Sequence, residues 1–235
     1  MVVSEINEYT DSYIAFLDII GFKMLLEEKT CTEIIEIFQN YRNPLSDISI
    51  GTKVKINLED VQMKVISDSV CFHIACEKKH ALVSIITVCQ ALAKELLWLS
   101  TPTLIRGAVV RGNICQNGDF IFGAGLVDAI VKEKEAKYPR IVVDNNIIMD
   151  CFTNEKEKPI HQLLFEKLYK DRQGDDSLEC VDYMELAEGL DVDGTIMPRL
   201  HSHTLEQIDK FEGDKREKWE YLRMQILKYY KPKLA

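Results

Sequence analysis

Two aspartates carry most of the chemistry this sequence offers. Asp18 follows the apolar run Tyr13-Ile14-Ala15-Phe16-Leu17, and Gly21-Phe22 comes three residues later. Asp68 stands within a second run, Val65-Ile66-Ser67-Asp68-Ser69-Val70-Cys71-Phe72. Two carboxylates carried by neighbouring strands of one sheet can bind divalent metal and, through it, a triphosphate. Each acid alone has an ordinary explanation. Asp18 reads equally well as the cap of a helix beginning near Phe22, and Asp68 as a hairpin-turn residue.

Further motifs follow in chain order. Arg106-Gly107 and Arg111-Gly112 punctuate the apolar stretch Leu104–Gly112. A strand-borne arginine near two acids can pair with them or hold a phosphate, and Arg106 is open to both readings. Phe122-Gly123-Ala124-Gly125 opens a helix whose first amides could face an anion, though such a turn is common. Pro139 sets the entry to a strand at Arg140–Val143, where Arg140 is expected to cap or pair.

Alternation and helical periodicity supply the elements that must position these residues. Strands are expected at Tyr13–Asp18, Lys53–Leu58, Val61–Ile74 (one strand or a hairpin turning near Asp68), Leu104–Arg111, Phe120–Phe122 and Arg140–Val143. Helices are expected at Thr32–Tyr41, at His80–Leu99 with one broad buried face, and at Gly123–Lys134. The pattern predicts an α+β fold, a mixed sheet flanked by helices, with those helices on one face. Residues 10–150 form the predicted catalytic domain. Residues 151–235 form a mainly helical extension, packed on that domain or on a dimer partner, with a charged turn at Glu155–Lys158.

Bulk properties narrow the class. The chain has 235 residues, 46% of them hydrophobic, and a net charge of −9. That charge opposes a nucleic-acid polymer as partner, because counterion release needs a basic face. It does not oppose a single nucleotide, whose phosphates a bound metal neutralises. The seven cysteines form no C-x-x-C pair, which suits reduced thiols and a cytoplasmic location. Glu5, Glu8 and Asp11 stand where an export signal would be basic, and no apolar run reads as a membrane span. His201-x-His203 lacks the partners of a zinc site.

The order of motifs resembles a class III nucleotidyl cyclase catalytic domain. Phe16-Leu17-Asp18-Ile19-Ile20-Gly21-Phe22, Ser67-Asp68-Ser69, Arg106-Gly107-Ala108 and Tyr138-Pro139-Arg140-Ile141-Val142-Val143 resemble, more narrowly, the bacterial pyrimidine cyclases of Pycsar antiphage defence. The resemblance runs from about Tyr13 to Asp144. It implies two metal ions, Mn²⁺ or Mg²⁺, held by Asp18, Asp68 and the Ile19 carbonyl. It implies a catalytic role for Asp18, Asp68 and Arg106, and nucleotide contacts from Phe16, Gly21, Phe22, Arg106 and Arg111. It implies UTP, in preference to CTP, as the substrate cyclised to a 3′,5′-cyclic nucleotide. It implies a head-to-tail homodimer and a downstream effector that reads the product. The helix Leu126–Lys132 lacks the Asn-x-x-x-Arg of purine cyclases, and no Lys/Asp pair stands ready to read adenine. Arg106, Arg111 and Lys132 are the candidates for the missing transition-state cation. The alternative is a catalytically silent, dimeric, nucleotide-binding or scaffold homologue. A phosphohydrolase would need an Asp-x-Asp nucleophile or a histidine cluster, and neither is present.

Overall fold

The computed structural model describes residues 8–40, 58–148, 168–171, 178–189 and 191–231. Most of the strand expected at Lys53–Leu58 and the charged turn at Glu155–Lys158 lie outside them. The chain opens with β1 (Thr10–Ile20), α1 (Phe22–Glu28) and α2 (Cys31–Asn40). It continues through β2 (Gln62–Ile66), β3 (Ser69–Ala75), α3 (Ala81–Trp98), β4 (Leu104–Asn117), β5 (Phe120–Phe122), α4 (Ala124–Glu135) and β6 (Ile141–Val143). β7 (Leu168–Asp171), β8 (Leu178–Val181), α5 (Tyr183–Gly189), α6 (Ile196–Lys210) and α7 (Gly213–Tyr229) complete it.

The fold is α+β. One mixed eight-stranded sheet runs in the order β2-β3-β1-β4-β6-β8-β7, with β5 hairpinned onto β4. β4 and β6 pair in parallel and the other pairs are antiparallel. β1 is an interior strand, and its alternation sorts side chains to two faces. Ala15, Leu17 and Ile19 enter the main core with α3, while Ile14 and Phe16 face α4.

Helices therefore cover both faces, which corrects the one-face expectation. α4 reaches the second face because two glycines let it come close. A Cβ on Gly125 would lie 2.5 Å from the Ile14 side chain, and one on Gly112 would lie 2.6 Å from Gly125 Cα.

α3 corrects a second expectation. It is long and apolar enough to cross a membrane, yet sixteen of its eighteen residues are buried in the protein. It is buried all round, polar Ser84, Thr87, Gln90 and Lys94 included, rather than along one face. The C-terminal segments explain this. Val181, Tyr183, Met184, Leu200, Trp219, Leu222 and Ile226 join the same core and close over the helix. Gln90 is satisfied there by donating to the Asp182 carbonyl at 2.7 Å.

The residues after 150 also contribute β7 and β8 to the sheet. A buried ion pair ties them down. Arg140, at the entry to β6, donates to Asp171 at 2.6 Å and to the Ala136 carbonyl at 2.8 Å. Tyr221 of α7 donates to the same Asp171 oxygen at 2.9 Å.

Candidate active site

β1 ends at Ile20, and Gly21 turns the chain into α1 with a left-handed φ of 88°. Glycine adopts that conformation without steric cost. The Gly21 carbonyl accepts from Met24 at 2.8 Å. α1 therefore starts at Gly21 with no side-chain cap, and Asp18 lies within β1. The capping explanation for Asp18 does not apply.

Asp68 occupies the second position of the two-residue turn joining β2 to β3, after Ser67 with a φ of 58°. A positive φ there fits the twist of a tight hairpin. The acid thus sits at the tip of a hairpin rather than inside a strand, and it is exposed. The turn is held against the end of β1. Asp18 pairs with Ser69 across the strands, and the Ile19 N–H donates to the Asp68 carbonyl at 2.8 Å.

The N–H and carbonyl of one strand residue point to the same neighbour. The Ile19 carbonyl therefore faces the hairpin too. Among the described residues the return bond from the Asp68 N–H is not made. Two acid-bearing residues and one backbone carbonyl thus come to one end of the sheet. Such a hard oxygen set fits Mg²⁺ or Mn²⁺, which keep further positions for water and substrate phosphate. Among the described residues no group of three or more His, Cys, Asp or Glu side chains is arranged to hold a metal.

Arg106 lies directly across β1–β4 from Asp18. Its Nε donates to Asp18 Oδ2 at 3.0 Å. The same nitrogen lies 2.6 Å from Glu133 Oε1 on α4. One N–H cannot align with two acceptors. It aligns with Asp18, which leaves the buried Glu133 Oε1 without an aligned hydrogen bond. Burial raises the Glu133 pKa; Arg106 opposes the rise and the Asp18 charge adds to it.

Glu133 was hidden by its setting. Lys132-Glu133-Lys134-Glu135 reads as a solvated run. The available signal is spacing: Gly125, Leu126, Ala129 and Glu133 form the buried stripe of α4, and one of the four is an acid.

The other candidates are dispersed. Phe16 is half-buried against the α4-side cluster, and Phe22 packs on the main core at the start of α1. Arg111 lies five residues beyond Arg106 on β4, roughly 17 Å along the strand. The odd separation turns its side chain to the opposite face. There it grips Asp11 at 2.7 Å and, mainly through that bond, lowers the Asp11 pKa. The structure does not bring Arg111 to Asp18.

Lys132 pairs with Glu135 at 2.7 Å, and it lines one cleft with Arg111, Asp128 and Asp144, so these two cation candidates share a cleft away from Asp18. His201 and His203 lie on α6 with their rings against Tyr230 and Trp219. A polar cleft of about 200 Å³ opens beside Arg106, lined also by Lys134, Lys137, Tyr138, Glu217 and Lys218.

No protein-family model matches the chain, and no curated protein matches it. Solved structures similar in fold include the following three. One is the catalytic core of a rhodopsin-guanylyl cyclase with converted specificity, in complex with ATPalphaS. It shares 12% identity at a TM-score of 0.45, over 73% of this chain and 93% of that one. A second is an adenylate/guanylate cyclase/hydrolase from Silicibacter pomeroyi, at 14% identity and a TM-score of 0.42, over 74% and 95%. A third is a class III adenylyl cyclase-like ATP-binding protein from Pseudomonas aeruginosa, at 10% identity and a TM-score of 0.36, over 58% and 33%. All three likenesses are distant.

Proposed function

We propose that this protein is a class III-like nucleotidyl cyclase that converts UTP, with CTP as the second choice, to a 3′,5′-cyclic nucleotide and pyrophosphate. The observation that carries the reading is the bond from the Ile19 N–H to the Asp68 carbonyl, which holds both acid motifs at one end of the sheet. Asp18, Asp68 and the Ile19 carbonyl are the groups that would hold two divalent ions. Bound there, the ions would supply Lewis-acid stabilisation of the phosphates and lower the pKa of the ribose 3′-hydroxyl.

The remaining work falls to the chain's own groups. Cyclisation joins the 3′-oxygen to the α-phosphorus and breaks the bond to the β-phosphate bridging oxygen. The hydroxyl proton is lost and pyrophosphate leaves. Arg106, beside Asp18, would steady phosphate charge as it develops. The pyrimidine preference rests on the motif resemblance and on the missing purine-reading residues.

A homodimer is part of the reading. Val65 and Ile66 on the hairpin, Phe120 and Phe122 on β5, and Val127 and Val131 on the outer side of α4 are all exposed. In the head-to-tail dimer that the resemblance implies, a second copy would cover them, and Lys132 is the cation candidate on α4 that one protomer could lend to its partner's acids. The role in antiphage signalling rests on the resemblance alone.

One observation favours the silent homologue. Arg106 already neutralises Asp18, so the acid has a partner without any metal. Incubating the protein with each of the four nucleoside triphosphates and Mn²⁺ separates the two readings. The cyclase reading expects a cyclic pyrimidine nucleotide. Binding with no cyclic product from any of the four supports the scaffold.

A further inference from the structure

We infer that Glu133 is a positioning residue that takes Arg106 over from Asp18 when a divalent cation claims that carboxylate. The inference rests on the proposed metal-binding role of Asp18. Its basis is the sharing of Arg106 Nε between Asp18 Oδ2 at 3.0 Å and Glu133 Oε1 at 2.6 Å. The Asp18 side chain is one-fifth exposed, whereas that of Glu133 is 6% exposed.

A cation arriving from solvent reaches Asp18 first. Charge then acts twice. The cation competes for the Asp18 oxygens, and it repels the guanidinium from them. Without Glu133, Arg106 would have to leave for solvent or stay and oppose the metal. With Glu133, it exchanges one carboxylate for another without crossing a gap. The exchange also completes the bonding of the buried Glu133 Oε1, which otherwise lacks an aligned donor. Arg106 stays beside the cleft it shares with Lys134, Lys137 and Lys218 and with the acids Asp214 and Glu217, where its charge adds to the excess of basic groups.

The test is Mn²⁺ binding without nucleotide, followed by the loss of the free-ion electron paramagnetic resonance signal. Wild type, Arg106→Ala, Glu133→Gln, the double variant and Asp18→Asn are compared, each checked for a cooperative melt. Arg106→Ala should bind Mn²⁺ about tenfold more tightly, because the competing cation is gone, and Glu133→Gln about tenfold more weakly. In the Arg106→Ala background the Glu133→Gln change should have no further effect. An equal loss in both backgrounds would show Glu133 acting on the ion directly and would overturn the inference. Unchanged binding in Arg106→Ala would overturn it as well, even if Glu133→Gln fails to fold. Asp18→Asn keeps the two readings apart. If it alone abolishes binding, the metal site stands and only the exchange fails. If it binds like wild type, the metal site itself falls.

Discussion

The Ile19 N–H donates to the Asp68 carbonyl across 2.8 Å, and this bond fixes a hairpin tip to the end of β1. Neighbouring strand pairs in β1–β3 hold the register that makes it possible. Two acids fifty residues apart in sequence thereby become neighbours.

Asp18→Asn and Asp68→Asn should each lower cyclisation by about 10³-fold, since metal clamps supply several kcal/mol of transition-state stabilisation. Asp68 is exposed and Asp18 partly so, so both variants should still melt cooperatively. Turnover near the wild-type rate with unchanged metal dependence would remove the acids from the mechanism.

Mixed dimers test the division of labour. Asp18 and Arg106 belong to one protomer and touch within it. Combining Asp18→Asn with Arg106→Ala should therefore restore nothing. Combining Asp18→Asn with Lys132→Ala should restore about a quarter of wild-type activity, the share expected when half the dimers carry one intact site. Restoration in the first mixture would place Arg106 in its partner's site.

Asp171→Ala should destabilise the protein by about 3–5 kcal/mol, because it strands a buried arginine. Arg140 and Asp171 are both nearly inaccessible to solvent, and Tyr221 depends on the same carboxylate. Urea denaturation measures the loss. A change under about 1 kcal/mol would mean that Arg140 finds another acceptor.

Acidification supplies a second stability test. Burial lowers the pKa of His73 below 6.5, with its bond to Gln116 working the other way. The unfolded chain then binds a proton that the folded chain resists, so stability falls as pH drops through about 6.5 towards the folded value. Burial shifts His201 and His203 in the same direction. His73→Gln should flatten part of the decline in melting temperature between about pH 7.5 and 5.5. An unchanged slope would exclude His73 as a contributor.

Much of this arrangement was legible in the residue order. The run through Asp18 is a strand and Arg140 pairs at the entry to β6, as local pattern suggests, while at Ser67-Asp68 the hairpin, one of two open readings, is the one formed. Three features were not legible. The placement of α4 on the far face depends on Gly112 meeting Gly125, a contact between distant segments. The all-round burial of α3 depends on helices roughly a hundred residues away in the chain. The place of Glu133 was masked by the charges beside it, since a helix face is recognised by its apolar members and this one carries an acid. Arg111 shows the converse. Its Arg-Gly setting repeats that of Arg106, but an odd spacing along a strand reverses the side chain, and Asp11 takes it.

The central claim is that this site cyclises pyrimidine nucleotides. The most direct measurement offers the protein an equimolar mixture of UTP, CTP, ATP and GTP with Mn²⁺ and identifies the products by mass spectrometry. The account predicts cyclic UMP, or cyclic CMP, as the main product, with pyrophosphate in equal amount and about 10³-fold less of both from Asp68→Asn. A main product of cyclic AMP or cyclic GMP, or no cyclic product at all, would contradict it.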